Sequence, residues 1–197
     1  ANINLLGPSP RGLDALNERL QYISHYPDIT NDDVINSIAN VYGIEKGSIL
    51  LGNGAAELLY AVGRLPGFTG AFVPAPGFSE YQASMDAANI PVRDIFYRQR
   101  QNDDGTPYFE VPYLALQTFA AELKGQDGRI VVFLGNPNNP DGTLLDKKSI
   151  KVLAQMLKDA NSLLVIDESF IDFIGNESLR DNSYSMRELI NQYDNVI

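Results

Sequence analysis

The stretch Leu163-Leu164-Val165-Ile166-Asp167-Glu168 places four apolar residues directly before two carboxylates. A short apolar run of this kind is typical of a strand that is buried inside a parallel sheet. Asp167 would then lie in surroundings of low polarity, where an unpaired charge is costly. We therefore expect Asp167 to have a cationic partner, either a protonated ring nitrogen or a metal ion.

Apolar runs alternate with helix-like segments along the rest of the chain. The predicted strands are 48–51, 70–74, 92–97, 129–134 and 162–167, and the predicted helices are 30–42, 55–64, 78–88, 113–124, 146–160 and 184–192. Residues 195–197 resemble the start of a further strand. Such alternation requires crossover connections, so it predicts an α/β fold in three layers: a mainly parallel sheet with helices on both faces.

The sequence divides into an amino-terminal arm, residues 1–30, and one large α/β domain, residues 31–197. Pro8, Pro10 and Pro27 predict an irregular arm that lies outside the sheet. In parallel sheets of this kind, ligands bind beyond the carboxyl ends of the strands. The unusual loops of this sequence each follow a predicted strand, so we expect them to share one edge.

Composition narrows the classes of partner. The 197 residues are 44% hydrophobic, include no cysteine and carry a formal net charge of −10, which argues against nucleic acid or an anionic membrane as a partner. No apolar run reaches the roughly 20 residues that a membrane-spanning helix needs. Residues 1–11 do not resemble a signal peptide. We expect a cytoplasmic protein.

Two loops offer polar groups that could bind a ligand. Gly52-Asn53-Gly54-Ala55 precedes a predicted helix, whose free amides and dipole favour a phosphate group, although a plain tight turn has the same composition. The loop 135–142 contains three Asn and two Pro residues and follows a buried strand. Its rigidity favours an Asn fixed at the sheet edge over an ordinary solvent loop.

A third loop, Pro74–Tyr81, holds Phe78 between Pro, Gly and a predicted helix. An aromatic ring in that position either stacks on a flat ligand or packs in the core. The apolar run ending in Asp167 and Glu168 also resembles the Walker B strand of nucleotide hydrolases. That reading requires a Gly-Lys pair upstream, and the chain has none. A metal site formed by Asp167, Glu168 and Asp172 remains an alternative.

Taken together, these motifs resemble the aminotransferase class I/II family of pyridoxal-phosphate enzymes, which has the fold called type I. The resemblance runs over essentially the whole chain and rests on Gly52-Asn53-Gly54, Asn139-Pro140-Asp141-Gly142 and Asp167-Glu168-Ser169-Phe170. Within the family the chain is most similar to threonine-phosphate decarboxylase and histidinol-phosphate aminotransferase. The resemblance implies pyridoxal 5'-phosphate as cofactor and a dimeric enzyme that acts on a small amino acid or amino-acid phosphate through an external aldimine.

The resemblance also implies a role for individual residues. Backbone amides of Gly54 and Ala55 would bind the cofactor phosphate, and Phe78 would stack on the pyridine ring. Asp167 would pair with the protonated ring nitrogen, and Asn139 would donate a hydrogen bond to the phenolic oxygen.

The arm has implied roles as well. Tyr26 resembles a tyrosine that reaches across a homodimer interface to the partner's cofactor phosphate. Asn4 and Gly7 resemble residues on the substrate side of the site.

The chain departs from the family pattern at two positions: Phe170 stands where most aminotransferases have a tyrosine that donates to the phenolic oxygen, and Asp141 stands where a threonine is common. Phe170 with the residues around it, and the opening residues 1–7, resemble the decarboxylase more than the aminotransferases. The Schiff-base lysine of the family would lie beyond Ile197, since the last lysine here is Lys158. We therefore expect a large domain that stops before its catalytic lysine, with a non-catalytic binding module on the same scaffold as a further alternative.

Overall fold

A computed structural model describes residues 5–125, 127–174 and 183–197. Its main sheet has four parallel strands in the order β2-β1-β5-β6. A separate antiparallel hairpin contains β3 and β4. The strands are β1 Phe68–Ala75, β2 Val92–Phe96, β3 Arg98–Gln101, β4 Pro107–Glu110, β5 Arg129–Gly135 and β6 Leu163–Asp167.

Six α-helices are present in the described residues, together with four short 3-10 segments. The α-helices are α1 Pro10–Arg19, α2 Asp32–Tyr42, α3 Gly54–Gly63, α4 Ser79–Ala87, α5 Tyr113–Leu123 and α6 Lys147–Asp159. The 3-10 segments are Leu20–Ser24, Lys46–Ser48, Ile171–Phe173 and Arg187–Asn191. Among the described residues, we find no helix with the length and apolar character needed to cross a membrane.

The central strand β5 is buried on both faces because its alternate side chains enter different cores. Ile130, Val132 and Leu134 pack with α5 and α6 on one face. Val131 and Phe133 pack with α3 and α4 on the other face. The period of two along a strand therefore produces two hydrophobic cores, one on each side of the sheet. The predicted three-layer α/β architecture is confirmed.

Among the strands in the described ranges, β2 is at the edge of the main sheet and pairs with a neighbour on one side only. Ile95 is buried, whereas Arg93, Asp94 and Phe96 are exposed. At the opposite side of the sheet, Val196 forms a parallel bridge with Leu164 of β6. The prediction that residues 195–197 begin a strand-like segment is thus confirmed.

The predicted strand at residues 48–51 is wrong. The segment begins within a 3-10 turn, and Leu50 is 74% exposed. An apolar run becomes a strand only when a neighbouring strand accepts its backbone hydrogen bonds. Within the described residues, 48–51 have no such neighbour. The Gly-Asn-Gly turn therefore follows an unpaired segment instead of a strand.

The prediction of an irregular arm is also wrong, because residues 10–19 form α1. Pro10 occupies the start of this helix, where the missing N–H costs nothing and the fixed φ is already helical. Leu13, Leu16 and Leu20 recur along one side, and all three are exposed. Residues 5–30 contribute no strand to the main sheet.

Two further differences concern polar segments. The hairpin of β3 and β4 was not predicted, because nearly all its residues are exposed and no apolar alternation marks it. Its Asp104-Gly105 pair, with Gly105 at φ 83°, is the local signal of the turn. The predicted helix 184–192 is reduced to the 3-10 segment Arg187–Asn191.

Candidate functional site

The carboxyl ends of three neighbouring strands meet at one edge of the main sheet. Gly135 of β5 pairs with Asp167 of β6. Phe72 of β1 pairs with Val132 of β5, and the same register continued along the strands places Ala75 level with Gly135. The loops that follow β1, β5 and β6 therefore leave the sheet side by side. They bring Phe78, the Asn-rich loop and Asp167 to the same edge.

The half-buried carboxylate of Asp167 is held by donors on both of its oxygens. The Tyr81 hydroxyl donates to Oδ2 at 2.8 Å. The Ser169 amide and hydroxyl donate to Oδ1 at 2.9 and 2.6 Å. Each carboxylate oxygen can accept more than one hydrogen bond, so Asp167 can still receive an N–H from a ligand at this edge.

Tyr81 comes from the first turns of α4 and is only 1% exposed. Its ring stacks on Phe133 of β5, with centroids 5.4 Å apart and an interplanar angle of 15°. Burial first, and the negative charge of Asp167 second, raise the pKa of Tyr81 well above its ordinary value. The phenol therefore stays neutral at physiological pH and keeps its proton as a donor to Asp167.

The half-buried ring of Phe78 lies at the start of α4 and meets the Tyr81 ring edge-on, with centroids 5.7 Å apart. The turn before it is tight, since a Cβ on Gly77 would lie 2.1 Å from the carbonyl oxygen of Pro74. Only glycine fits at that position. This constraint fixes the point at which α4 begins and thereby the place of the Phe78 ring.

The Asn-rich loop is held by two buried amides that the sequence analysis did not single out. The Asn136 side chain donates to Glu168 Oε1 at 3.0 Å and to the Tyr184 carbonyl at 2.9 Å, and it accepts from the Leu145 amide at 3.1 Å. The Asn138 side chain donates to the Pro76 carbonyl at 2.9 Å. These bonds tie the loop to both neighbouring strand ends.

Asn139 differs from these two residues. It is half-buried, and within the described residues its side chain has no hydrogen-bond partner. Next to it, Asp141 accepts from the Asn138 side chain and from the Thr143 amide, each at 3.0 Å. Asp141 thus stabilises the turn that contains Asn139. The Asn139 amide can therefore donate a hydrogen bond to a ligand.

The Gly-Asn-Gly turn leads directly into α3, as predicted. Gly54 has φ 76°, and its N–H already donates to the Gly52 carbonyl at 2.8 Å. The Asn53 side chain does not cap the helix, and the Glu57 carboxylate accepts the Asn53 amide instead. The Ala55 amide lies in the first turn, where no earlier helical carbonyl can accept it. This exposed helix start can bind an anion.

Of the arm residues with an implied role, the structure describes Tyr26 and Gly7, and both are exposed. Tyr26 is 99% exposed. Gly7 is exposed with φ 75°, and Asn4 lies outside the described residues.

The three carboxylates of the alternative metal site each have their own protein donors. Glu168 accepts from Asn136, from the Ser185 hydroxyl at 2.6 Å and from the Met186 amide at 2.5 Å. Asp172 accepts from the Tyr42 hydroxyl at 3.3 Å. Among the described residues, no group of three or more His, Cys, Asp and Glu side chains is arranged to hold a metal ion.

The family model for aminotransferase class I and II matches residues 1–197. The chain belongs to this family. Its proteins bind pyridoxal 5'-phosphate. The resemblance that the three sequence motifs indicated is thereby confirmed.

Three relatives illustrate how the chain relates to other members of the aminotransferase family. The adenosylcobalamin biosynthesis bifunctional protein CobDQ of Leptospira interrogans is 34% identical, over 94% of this chain and 21% of that protein. Threonine-phosphate decarboxylase of Salmonella typhimurium is 30% identical, over 93% of this chain and 49% of that enzyme. The crystal structure of histidinol-phosphate aminotransferase from Clostridium acetobutylicum superposes with a TM-score of 0.78 and 26% identity, covering 100% of this chain and 52% of that chain.

The chain thus spans roughly half the length of the two single enzymes, and a smaller share of the bifunctional protein. Six lysines fall within it, and four of them form ion pairs with acidic side chains. These four are Lys124, Lys147, Lys151 and Lys158.

The first prediction concerns the two kinds of Asn in the loop. Asn136→Ala leaves the Leu145 amide and the Tyr184 carbonyl without their buried partner, so we expect a loss of about 2–4 kcal/mol in the free energy of unfolding. The matched variant Asn139→Ala should change it by less than about 0.5 kcal/mol, because no protein hydrogen bond is lost. Denaturant titration monitored by circular dichroism measures the free energy of unfolding of both variants. Equal losses would contradict the view that Asn136 stabilises the loop and Asn139 does not.

Proposed function

We propose that this chain is the cofactor-binding part of a pyridoxal-phosphate-dependent enzyme that acts on a small amino acid or amino-acid phosphate. The observation that carries the proposal is the Asp167 carboxylate, held between Tyr81 and Ser169 where β6 ends at the ligand-binding edge. A fixed, half-buried carboxylate suits a protonated ring nitrogen, because the pair neutralises both charges in surroundings of low polarity.

The other groups at the edge fit the same cofactor. The Phe78 ring offers a face for stacking, and the Asn139 amide offers a donor for the phenolic oxygen. The Ala55 amide at the start of α3 offers a site for the phosphate, and the Gly54 amide joins it if the hydrogen bond to Gly52 is exchanged. When bound, the cofactor supplies an electron-withdrawing ring that stabilises negative charge on the substrate's α-carbon.

For the reaction we propose decarboxylation of threonine phosphate. The phenolic oxygen of the cofactor would accept a hydrogen bond from Asn139. Most aminotransferases add a second hydrogen bond from a tyrosine, which Phe170 cannot donate. The similarity to Salmonella threonine-phosphate decarboxylase and to the cobalamin-biosynthesis protein supports this choice. Amino transfer, as in histidinol-phosphate aminotransferase, is the second candidate, because the Clostridium enzyme shares the fold over the whole chain.

The cofactor assignment predicts a selective loss on changing Asp167. In Asp167→Ala the ring nitrogen loses its anionic partner, so we expect the dissociation constant for pyridoxal phosphate to rise about 10- to 100-fold. The matched variant Asp172→Ala removes a nearby carboxylate that bonds Tyr42, and it should change affinity less than about twofold.

Absorbance titration of the purified protein with pyridoxal phosphate measures both constants. An equal effect of the two variants, or no binding by the unaltered protein, would exclude Asp167 as the partner of the ring nitrogen.

The reaction assignment predicts which products form. Full-length protein that contains this chain, supplied with pyridoxal phosphate and phosphothreonine, should release carbon dioxide while the substrate keeps its amino group. Isotopic carbon dioxide release and glutamate formation from 2-oxoglutarate are measured in the same samples. In parallel samples with histidinol phosphate as the substrate, glutamate formed without carbon dioxide would establish the aminotransferase instead. Cofactor binding without either product would indicate a binding module.

We also propose that the working unit is a homodimer formed through the arm. Leu5, Ile23, Tyr26 and Ile29 are each more than four-fifths exposed. A group of exposed apolar side chains on one segment is typical of an interaction surface. In the dimer, Tyr26 would reach the cofactor phosphate of the partner subunit.

The dimer proposal predicts that a charge in the arm weakens association. Ile23→Asp places a carboxylate in the apolar contact, so the dimer dissociation constant should rise roughly tenfold or more. Leu114→Asp, at an equally exposed apolar position on α5, should leave association unchanged. Sedimentation velocity of both variants tests the proposal, which would fail if they behave alike or if the unaltered protein is monomeric.

A further inference from the structure

Tyr81 contacts both side chains that we assign to the pyridine ring of the cofactor. Its hydroxyl donates to Asp167 Oδ2 at 2.8 Å. Its ring meets Phe78 edge-on, at an interplanar angle of 88°. One side chain thus connects the carboxylate assigned to the ring nitrogen with the aromatic ring assigned to the ring face.

Tyr81 itself has almost no freedom to move. Its ring stacks on Phe133, which is fully buried in the central strand β5. At 1% exposure the phenol is enclosed by the core that α3 and α4 form with the sheet. A donor fixed in this way holds its acceptor in one orientation without losing side-chain entropy when a ligand binds.

Tyr81 and Ser169 act on different oxygens of Asp167. Ser169 fixes Oδ1 from the loop after β6, and Tyr81 fixes Oδ2 from α4. Two fixed oxygens define the plane of the carboxylate. Since Ser169 is exposed and Tyr81 is buried, we expect the Tyr81 bond to be the more strongly constraining of the two.

We propose that Tyr81 is a positioning residue for the cofactor: its hydroxyl fixes the plane of the Asp167 carboxylate, so that the carboxylate faces the pyridine ring before it binds. The inference rests on the proposed function. It assigns Tyr81 no contact with the cofactor and no part in proton transfer to the substrate. Its effect passes through Asp167.

The test is a double-mutant cycle on full-length protein, with pyridoxal phosphate affinity measured by absorbance titration. Tyr81→Phe keeps the ring and removes the hydroxyl, so the dissociation constant should rise about three- to tenfold. In the Asp167→Ala background the same change should have an effect below about twofold, because the group through which Tyr81 acts is absent.

Tyr97→Phe is the matched control. Tyr97 is also buried, at 6% exposure, and its hydroxyl has no hydrogen-bond partner in the described part of the chain. It lies in the core on the other face of the sheet. Removing this hydroxyl should leave cofactor affinity unchanged, whereas a general effect of losing a buried phenol would appear in both variants.

Phe133→Leu gives a second approach, because it removes the stacked ring that immobilises Tyr81 and retains the hydroxyl. Affinity should fall by roughly two- to threefold, again only when Asp167 is present. Unchanged affinity in Tyr81→Phe, or an equal loss with and without Asp167, overturns the role of Tyr81 alone. Unaltered protein that binds no cofactor overturns the proposed function and this role together.

Discussion

The burial of β5 on both faces is the constraint on which the rest of the structure depends. A strand with no solvent-facing side must have every backbone group paired with its neighbours, so β1 and β6 are fixed in register on either side of it. That register brings the ends of the three strands level. The loops after them then share one edge, and residues distant in sequence, such as Phe78 and Asp167, become neighbours.

At this edge the apolar core gives way to hydrogen bonds that link the loops after neighbouring strands. Asn136 links Glu168 to the loop after β5, and Asn138 links that loop to Pro76. Glu168 is therefore tied to the loop after β5 and to residues 185 and 186, whereas Asp167 is tied to α4 and Ser169, although the two carboxylates are adjacent in sequence. Alternation of side chains along a strand end separates them, since successive residues point to opposite faces.

Much of this arrangement could be predicted from local patterns. The buried strands around Val132 and Val165 were marked by short apolar runs, and α6 by its amphipathic pattern. The motifs at Gly54, Asn139 and Asp167 pointed to a family because their order along the chain is distinctive.

The remaining features depend on contacts that no local pattern contains. Tyr81 resembles any aromatic residue of an amphipathic helix until the fold places its hydroxyl beside Asp167. Asn136 resembles a loop residue until its three partners are known. Residues 48–51 have the composition of a strand, yet in the described structure they lack a partner strand. Whether a segment pairs with another strand depends on residues far away in the sequence, so a short local pattern cannot predict it.

The outer strand β2 has a consequence for how the protein behaves at high concentration. Within the part of the chain that the structure describes, its free side exposes unpaired backbone groups together with the Phe96 ring, a combination that favours association between sheets. Arg93 and Asp94 stand in the same strand, and a second molecule approaching edge to edge would have to desolvate both charges. The two charges therefore disfavour edge-to-edge pairing of two such sheets.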